Sequence, residues 1–193
     1  MNKPAHGQTA APLLLLLIAL LASMLSPADA FAAQKREHLT PEEIELVRDN
    51  QELDKRTEVF IKAAERRMLF VMNPSEASKQ SEKDREKWGE VKGTHEQLFY
   101  DISKILDEAV VNIDDAAAHN PESPLLRKSL YRLSEAVGRI LPQLANLRAG
   151  VQSEAEADQL DRAVEAAQEI ADAAKERGVN ADDMKTKGGK KGN

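Results

Sequence analysis

Apolar side chains recur at steps of three and four residues through most of the chain, the spacing that gathers them on one face of an α-helix. No stretch alternates with the period of two that marks a strand. The first run opens at Leu39-Thr40-Pro41-Glu42-Glu43-Ile44. Thr40 can cap, Pro41 suits the first helical position, Glu43 completes a capping box, and Leu39 and Ile44 stand at staple spacing across the cap. The stripe Ile44, Val47, Leu53, Phe60, Ala64, Met68, Val71 predicts one long helix that ends at Met72, where Asn73-Pro74 stops it. Its roughly 32 residues would span about 48 Å. Asn50 and Thr57 fill two turns of the stripe and are expected at a wet edge.

Residues 74–93 break the pattern. Ser, Lys, Glu and Gln dominate, Gly89 and Gly93 stand near the end, and Trp88 has only Val91 as apolar company nearby. This reads as a polar connection, with a helical turn at most around Asp84 to Trp88, and it is longer than such connections usually run. Thr94, with Gln97 at the box position, opens a second helix. Its face is Phe99, Ile102, Leu106, Ala109, Ile113 and Ala116, widened by Leu98 and Ile105 and ended by His119-Asn120-Pro121.

Ser123-Pro124 starts a third helix. Leu126, Leu130, Leu133, Val137, Ile140, Leu144, Leu147 and Val151 alternate steps of four and three. That period of about 3.5 is of the coiled-coil kind and packs helices at shallow, left-handed angles. Pro142 interrupts it and predicts a kink, through the bond lost to the carbonyl of Gly138. Ser153 and Glu156 box in a fourth helix, which buries Ala157, Leu160, Val164, Ala167, Ile170 and Ala174 and stops at Gly178. An alanine face removes little area from water, so this helix should fray first.

Four amphipathic helices with tight connections at 119–123 and 149–153 predict an all-α fold: an antiparallel up-down helical bundle with a long first helix. Three bundled helices with the first docked alongside is the other arrangement. The bundle domain covers 40–178, including the polar connection, between a disordered leader at 31–39 and a disordered basic tail at 179–193.

The opening residues follow another rule. Lys3 precedes an aliphatic block from Leu13 to Leu25, and Ala28-Asp29-Ala30 or Ala30-Phe31-Ala32 offers a small-residue exit. That is the plan of a secretory signal peptide over residues 1–30. Its roughly 13 apolar residues fall short of the ~20 a spanning helix needs, so no transmembrane segment is expected after cleavage. Cleavage removes one base, Lys3, and one acid, Asp29, leaving the formal charge of −6 unchanged. The absence of cysteine excludes disulfides, thiol nucleophiles, thiolate metal sites, a lipoprotein anchor and covalent haem. Proline blocks the glycosylation-like triplet Asn73-Pro74-Ser75. Together these point to an exported bacterial protein, periplasmic or secreted.

Chemistry has few footholds. An acidic chain whose basic cluster is a Gly-interleaved tail (Lys185, Lys187, Lys190, Lys191) offers no face for nucleic acid. The notable serines and threonines are caps, no glycine-framed elbow holds a nucleophile, and Gly188-Gly189 does not join a strand to a helix. Glu108, Asn112, Asp115 and His119 share a face of the second helix and are candidate metal ligands if another helix contributes. The Glu-x-x-His pairs of di-iron bundles are missing, since Ala116 and Lys92 stand three before His119 and His95.

The oddest stretch is Met68-Leu69-Phe70-Val71-Met72, which points apolar groups around most of a helix. Leu69, Phe70 and Met72 need a second cover: the Trp88 segment folded back as a lid, a second copy of the chain, or a protein partner. The chain therefore reads as a non-enzymatic exported interaction or scaffold protein without a cofactor, acting through Leu69, Phe70, Met72 and Trp88. A small-ligand or divalent-metal-binding bundle is the alternative.

Overall fold

The computed structural model describes residues 36–185; the predicted signal peptide, its cleavage site and the end of the basic tail lie outside the described residues. All regular structure among the described residues is helical. Seven α-helices pack against one another: α1 Pro41–Asp49, α2 Leu53–Met72, α3 Pro74–Ala77, α4 Glu82–Trp88, α5 His95–His119, α6 Pro124–Leu147 and α7 Glu154–Glu176. Short 3-10 turns follow at Arg148–Gly150 and Ala181–Lys185.

The helix starts form as the caps dictate. Thr40 and Thr94 make complete capping boxes with Glu43 and Gln97. Ser123 accepts from the Leu125 amide and Ser153 from the Glu156 amide. The Glu156 carboxylate bonds the Gln152 amide rather than that of the cap, so the last box is only half made. α6 continues through Pro142 as one helix, with the proline ring on its exposed side.

The predicted long first helix is broken in two. Asn50 turns extended (φ −89°, ψ 100°) and its side-chain amide donates to the Leu46 carbonyl at 2.6 Å. The Gln51 amide donates to the Arg48 carbonyl at 2.8 Å. The Asn50 side chain thus shares the Leu46 carbonyl with its own backbone N–H, while the Gln51 side chain takes the Arg48 carbonyl that a continuing helix would need for the Glu52 amide, the competition that ends helices at such residues. Asn50 is half-buried, but Thr57 is not at a wet edge: it is buried, and its hydroxyl bonds the Leu53 carbonyl at 2.9 Å.

Both expected disordered margins also give way to packed structure where they are described. Leu39 is buried and His38 is half-buried. Ala181–Lys185 is held by Arg127, which donates to Asp183 and to the carbonyls of Arg177 and Gly178. The polar connection carries two short helices, α3 capped by Asn73 and α4 capped by Ser81.

Ion pairs give the directions of the long helices. Asp54, Glu58 and Glu65 of α2 meet Lys128, Arg132 and Arg139 of α6 in the same order, so these two run in the same direction. α5 and α7 also share a direction, for His95 meets Glu156, and farther along Ile113 lines a cavity with Ile170 and Ala173. α6 and α7 are antiparallel: Arg148 pairs with Asp161 at one end, and Arg127 reaches the Arg177 carbonyl at the other. The tight connection at 148–153 thus joins antiparallel neighbours, as expected. The other does not: α5 and α6 each lie chiefly against α2 and α7 rather than against each other. Phe60, Phe99, Ile102, Leu106, Leu133, Ile140, Leu144, Leu160 and Ile170 fill the centre. Removing each such side chain from water contributes about 1.5 to 3 kcal/mol. Alanines 163, 166 and 167 let α7 approach closely.

Candidate interaction groove and the clamp behind it

Running in register, α2 and α6 face each other through long charged side chains that straddle an apolar floor. Arg132 pairs with Glu58, and Arg139 donates to Glu65 at 2.8 Å. On one side of the Glu65–Arg139 bar lies a groove of about 480 Å³ floored by Ile61, Tyr131 and Met184. On the other lies one of about 400 Å³ formed by Met68, Leu69, Met72, Ile140 and Gln143. Leu69 is 40% and Met72 51% exposed there. Burial and the nearby carboxylate of Glu135 push the Tyr131 phenol above its ordinary range.

At the far end of this helix pair, Asp54 is buried beside Lys128 at 2.6 Å. Burial alone would raise its carboxyl, but the hydrogen bond from Lys128 and the charges of Lys128, Arg132 and Lys55 outweigh that and hold it below the ordinary value. Its second oxygen is buried with no hydrogen-bond partner.

Behind the groove sits an ionic clamp. Glu43 is fully buried; its Oε1 accepts from Arg66 Nη1 at 2.5 Å and from Arg67 Nη1 at 2.6 Å, while Oε2 accepts the Thr40 amide at 3.0 Å. Both arginines are themselves buried. Arg66 also donates to the carbonyls of Trp88 (2.8 Å) and Gly89 (2.6 Å), and Arg67 to those of His38 (2.8 Å) and Ala63 (3.1 Å). The Thr40 hydroxyl donates to the same Trp88 carbonyl at 2.8 Å. One carboxylate and two guanidiniums therefore tie together the entry to α1, the middle of α2 and the end of α4. Burial draws the Arg66 pKa down against the opposing charge of Glu43. Gly89 sits where the chain leaves the clamp, at φ 69°. A Cβ there would lie 2.7 Å from the Thr40 hydroxyl.

The structure separates the residues singled out from the sequence. Leu69 and Met72 face outward, whereas Phe70 is half-buried and packs against the core. The Trp88 segment does fold back, but onto the clamp: its ring lies 5.9 Å from Arg66 Cζ and 5.5 Å from Lys87 Nζ, and Leu69 and Met72 stay uncovered. The candidate metal ligands are not brought together. Glu108 Oε2 lies 2.6 Å from His38 Nε2, Asn112 donates to the Glu108 carbonyl, and His119 Nδ1 lies 2.7 Å from the Asp115 carbonyl. Among the described residues no three His, Asp or Glu side chains converge on a metal position. The clamp itself was invisible in the sequence, apart from Glu43 at its box position.

Compared with known proteins, the chain matches no family model, no curated protein and no solved structure. No helix among the described residues is long and apolar enough to cross a membrane.

Proposed function

We propose that this chain is a non-enzymatic interaction or scaffold protein, exported to a bacterial cell envelope, that works through the α2/α6 groove. In this reading α2, α5, α6 and α7 form an up-down four-helix bundle, and α1, α3 and α4 brace one end of it. The observation that carries the reading is the outward pair Leu69 and Met72 beside an open groove. Apolar side chains grouped at a concave surface favour contact, since covering them gains about 25 cal/mol per Å². Methionine suits such a surface because its thioether adapts to its partner. Export rests on the basic start, the Leu13–Leu25 block and the small-residue exit.

The test is a Leu69→Glu/Met72→Glu chain compared with wild type, by analytical ultracentrifugation over a concentration series and by crosslinking in the native envelope. We expect unchanged helicity and melting temperature with loss of the wild-type association. Wild-type association surviving both charges would overturn the reading. N-terminal mass spectrometry of the envelope fraction should find chains that begin at Phe31 or Ala33; chains that retain Met1 would overturn the export.

A further inference from the structure

We propose that Met72 and Met184 are modification sites: oxidants of the peroxide class convert both to methionine sulfoxide in the folded chain, and the change switches off contact through the α2/α6 face. The switch rests on the reading of that face as an interaction surface, whereas the modification rests on exposure alone.

The chain has no cysteine, so its sulfur is all thioether. Three methionines fall among the described residues, and the fold treats them differently. Met72 is 51% and Met184 36% exposed, whereas Met68 is 3% exposed and belongs to the core cluster. Oxidation of a thioether follows the access of oxidant to sulfur, so this difference sets the order of reaction. Both exposed methionines stand on the same face. Met72 lines one groove with Leu69 and Ile140, and Met184 lines the other with Ile61 and Tyr131, on either side of the Glu65–Arg139 bar. With Leu69 they make up three of the four large apolar side chains exposed among the described residues; the fourth, Val111, lies on α5. One oxidant therefore acts on both grooves of this face at once.

The step is a two-electron oxidation of sulfur. A lone pair of the thioether attacks one oxygen of hydrogen peroxide, the S–O bond forms as the O–O bond breaks, and the departing hydroxide takes the remaining proton and leaves as water. The product keeps the length of the side chain but replaces an adaptable apolar thioether with a polar, chiral group. A partner that covers the new oxygen without a donor strips it of water, so a contact that gained from burying Met72 loses from burying its sulfoxide.

The fold depends on neither sulfur. Met72 is the last residue of α2, where the backbone leaves the helix at Asn73. Met184 sits in the Ala181–Lys185 turn, which Arg127 fastens through Asp183 and through the carbonyls of Arg177 and Gly178. Met68, by contrast, has to leave the core before it can react.

The test treats the purified wild-type chain with hydrogen peroxide and maps oxidation against time by mass spectrometry of its peptides. Met72 and Met184 should each gain one oxygen about tenfold faster than Met68, following the ratio of their exposures, with circular dichroism unchanged. Analytical ultracentrifugation of the oxidised chain should show the wild-type association lost. Methionine sulfoxide reductases, one for each epimer, should restore it.

Met68 reacting as fast as Met72 in the folded chain would refute the sites. Association that persists once both sulfoxides have formed refutes the switch, and so does a loss that the reductases do not reverse, because the group responsible is then not a methionine. In both cases the surface reading still stands or falls on Leu69→Glu/Met72→Glu. If the untreated chain does not associate, the surface reading falls and the switch with it, and the order of oxidation alone decides the sites.

Discussion

Replacing Glu43 by Gln tests the clamp most directly. The substitution keeps volume and shape but removes the charge that two buried guanidiniums share. A neutral amide has one acceptor oxygen. If that oxygen stays on the Thr40 amide, the NH₂ group is turned toward Arg66 and Arg67, donor against donor; if it turns to the arginines, the capping box is lost. The carbonyls of His38, Trp88 and Gly89 remain as neutral partners. Breaking a buried pair by removing one member costs about 3 to 5 kcal/mol, because the other charges stay buried. Against a total stability of about 5 to 15 kcal/mol, this is a large share. The control is Glu45→Gln in α1, whose partner Arg48 is exposed and whose loss should cost at most about 1 kcal/mol. Urea denaturation reads both variants. With a slope of about 1 to 3 kcal/mol per M, the Glu43→Gln midpoint should fall by about 1 to 5 M. Trp88, the single tryptophan, reports the clamp by fluorescence, while circular dichroism reports the helices. A midpoint shift no larger than that of Glu45→Gln would refute the reasoning, and Glu43 would be no more than a cap.

Three further outcomes are expected. The carboxyl of Asp54 is held below its ordinary 3.8 when folded, so its contribution is full above that value and is lost as pH falls through the lower folded one. Asp54→Asn should therefore destabilise at neutral pH, with the gap to wild type narrowing in urea melts taken toward pH ~2. Leu133→Ala, at the fully buried centre of α6, should cost about 2 to 5 kcal/mol by the same melts, whereas Ala171→Ser on the half-exposed face of α7 should be nearly silent. Gly89→Ala forces a left-handed backbone and a clash with Thr40, and should cost 1 kcal/mol or more (about the Gly-to-Ala penalty at positive φ), visible first in Trp88 fluorescence.

The helices were legible wherever local chemistry decides them. Thr40, Thr94, Ser123 and Ser153 cap the helices they were expected to cap, because a hydroxyl two or three residues before an amide needs no tertiary help. The alternating stripe of α6 holds for the same reason: Leu130, Leu133, Val137, Ile140 and Leu144 are all buried. The break at Asn50 does not show in the apolar pattern because a stripe can be drawn across it; what interrupts the helix is the extended Asn50 backbone, with the Gln51 side chain on the Arg48 carbonyl. Arg66 and Arg67 were unreadable as core residues. A charged pair on a helix ordinarily meets water, and what buries this pair is a carboxylate on a different helix together with carbonyls of a segment that reads as loop. The groove was half legible: five consecutive apolar residues marked its end, but which of them face outward depends on how α2 rotates against α6, so Phe70 turned inward and Met72 did not.

The shared direction of α2 with α6, and of α5 with α7, has a consequence for how the chain reaches its native state. Antiparallel neighbours can zip from a short loop, for which closure costs little entropy, but helices that run the same way come together only after the element between them has been laid down. The most extensive packing, between α5 and α7, is of this second kind. A nascent chain made as far as α5 still has bare the face of α5 that α7 covers, and one made as far as α6 has no neighbour for the side of α6 that meets α7. The α5/α7 and α6/α7 halves of the interior therefore close only once the last helix exists, and removing α7 should leave an aggregating chain rather than a smaller folded one.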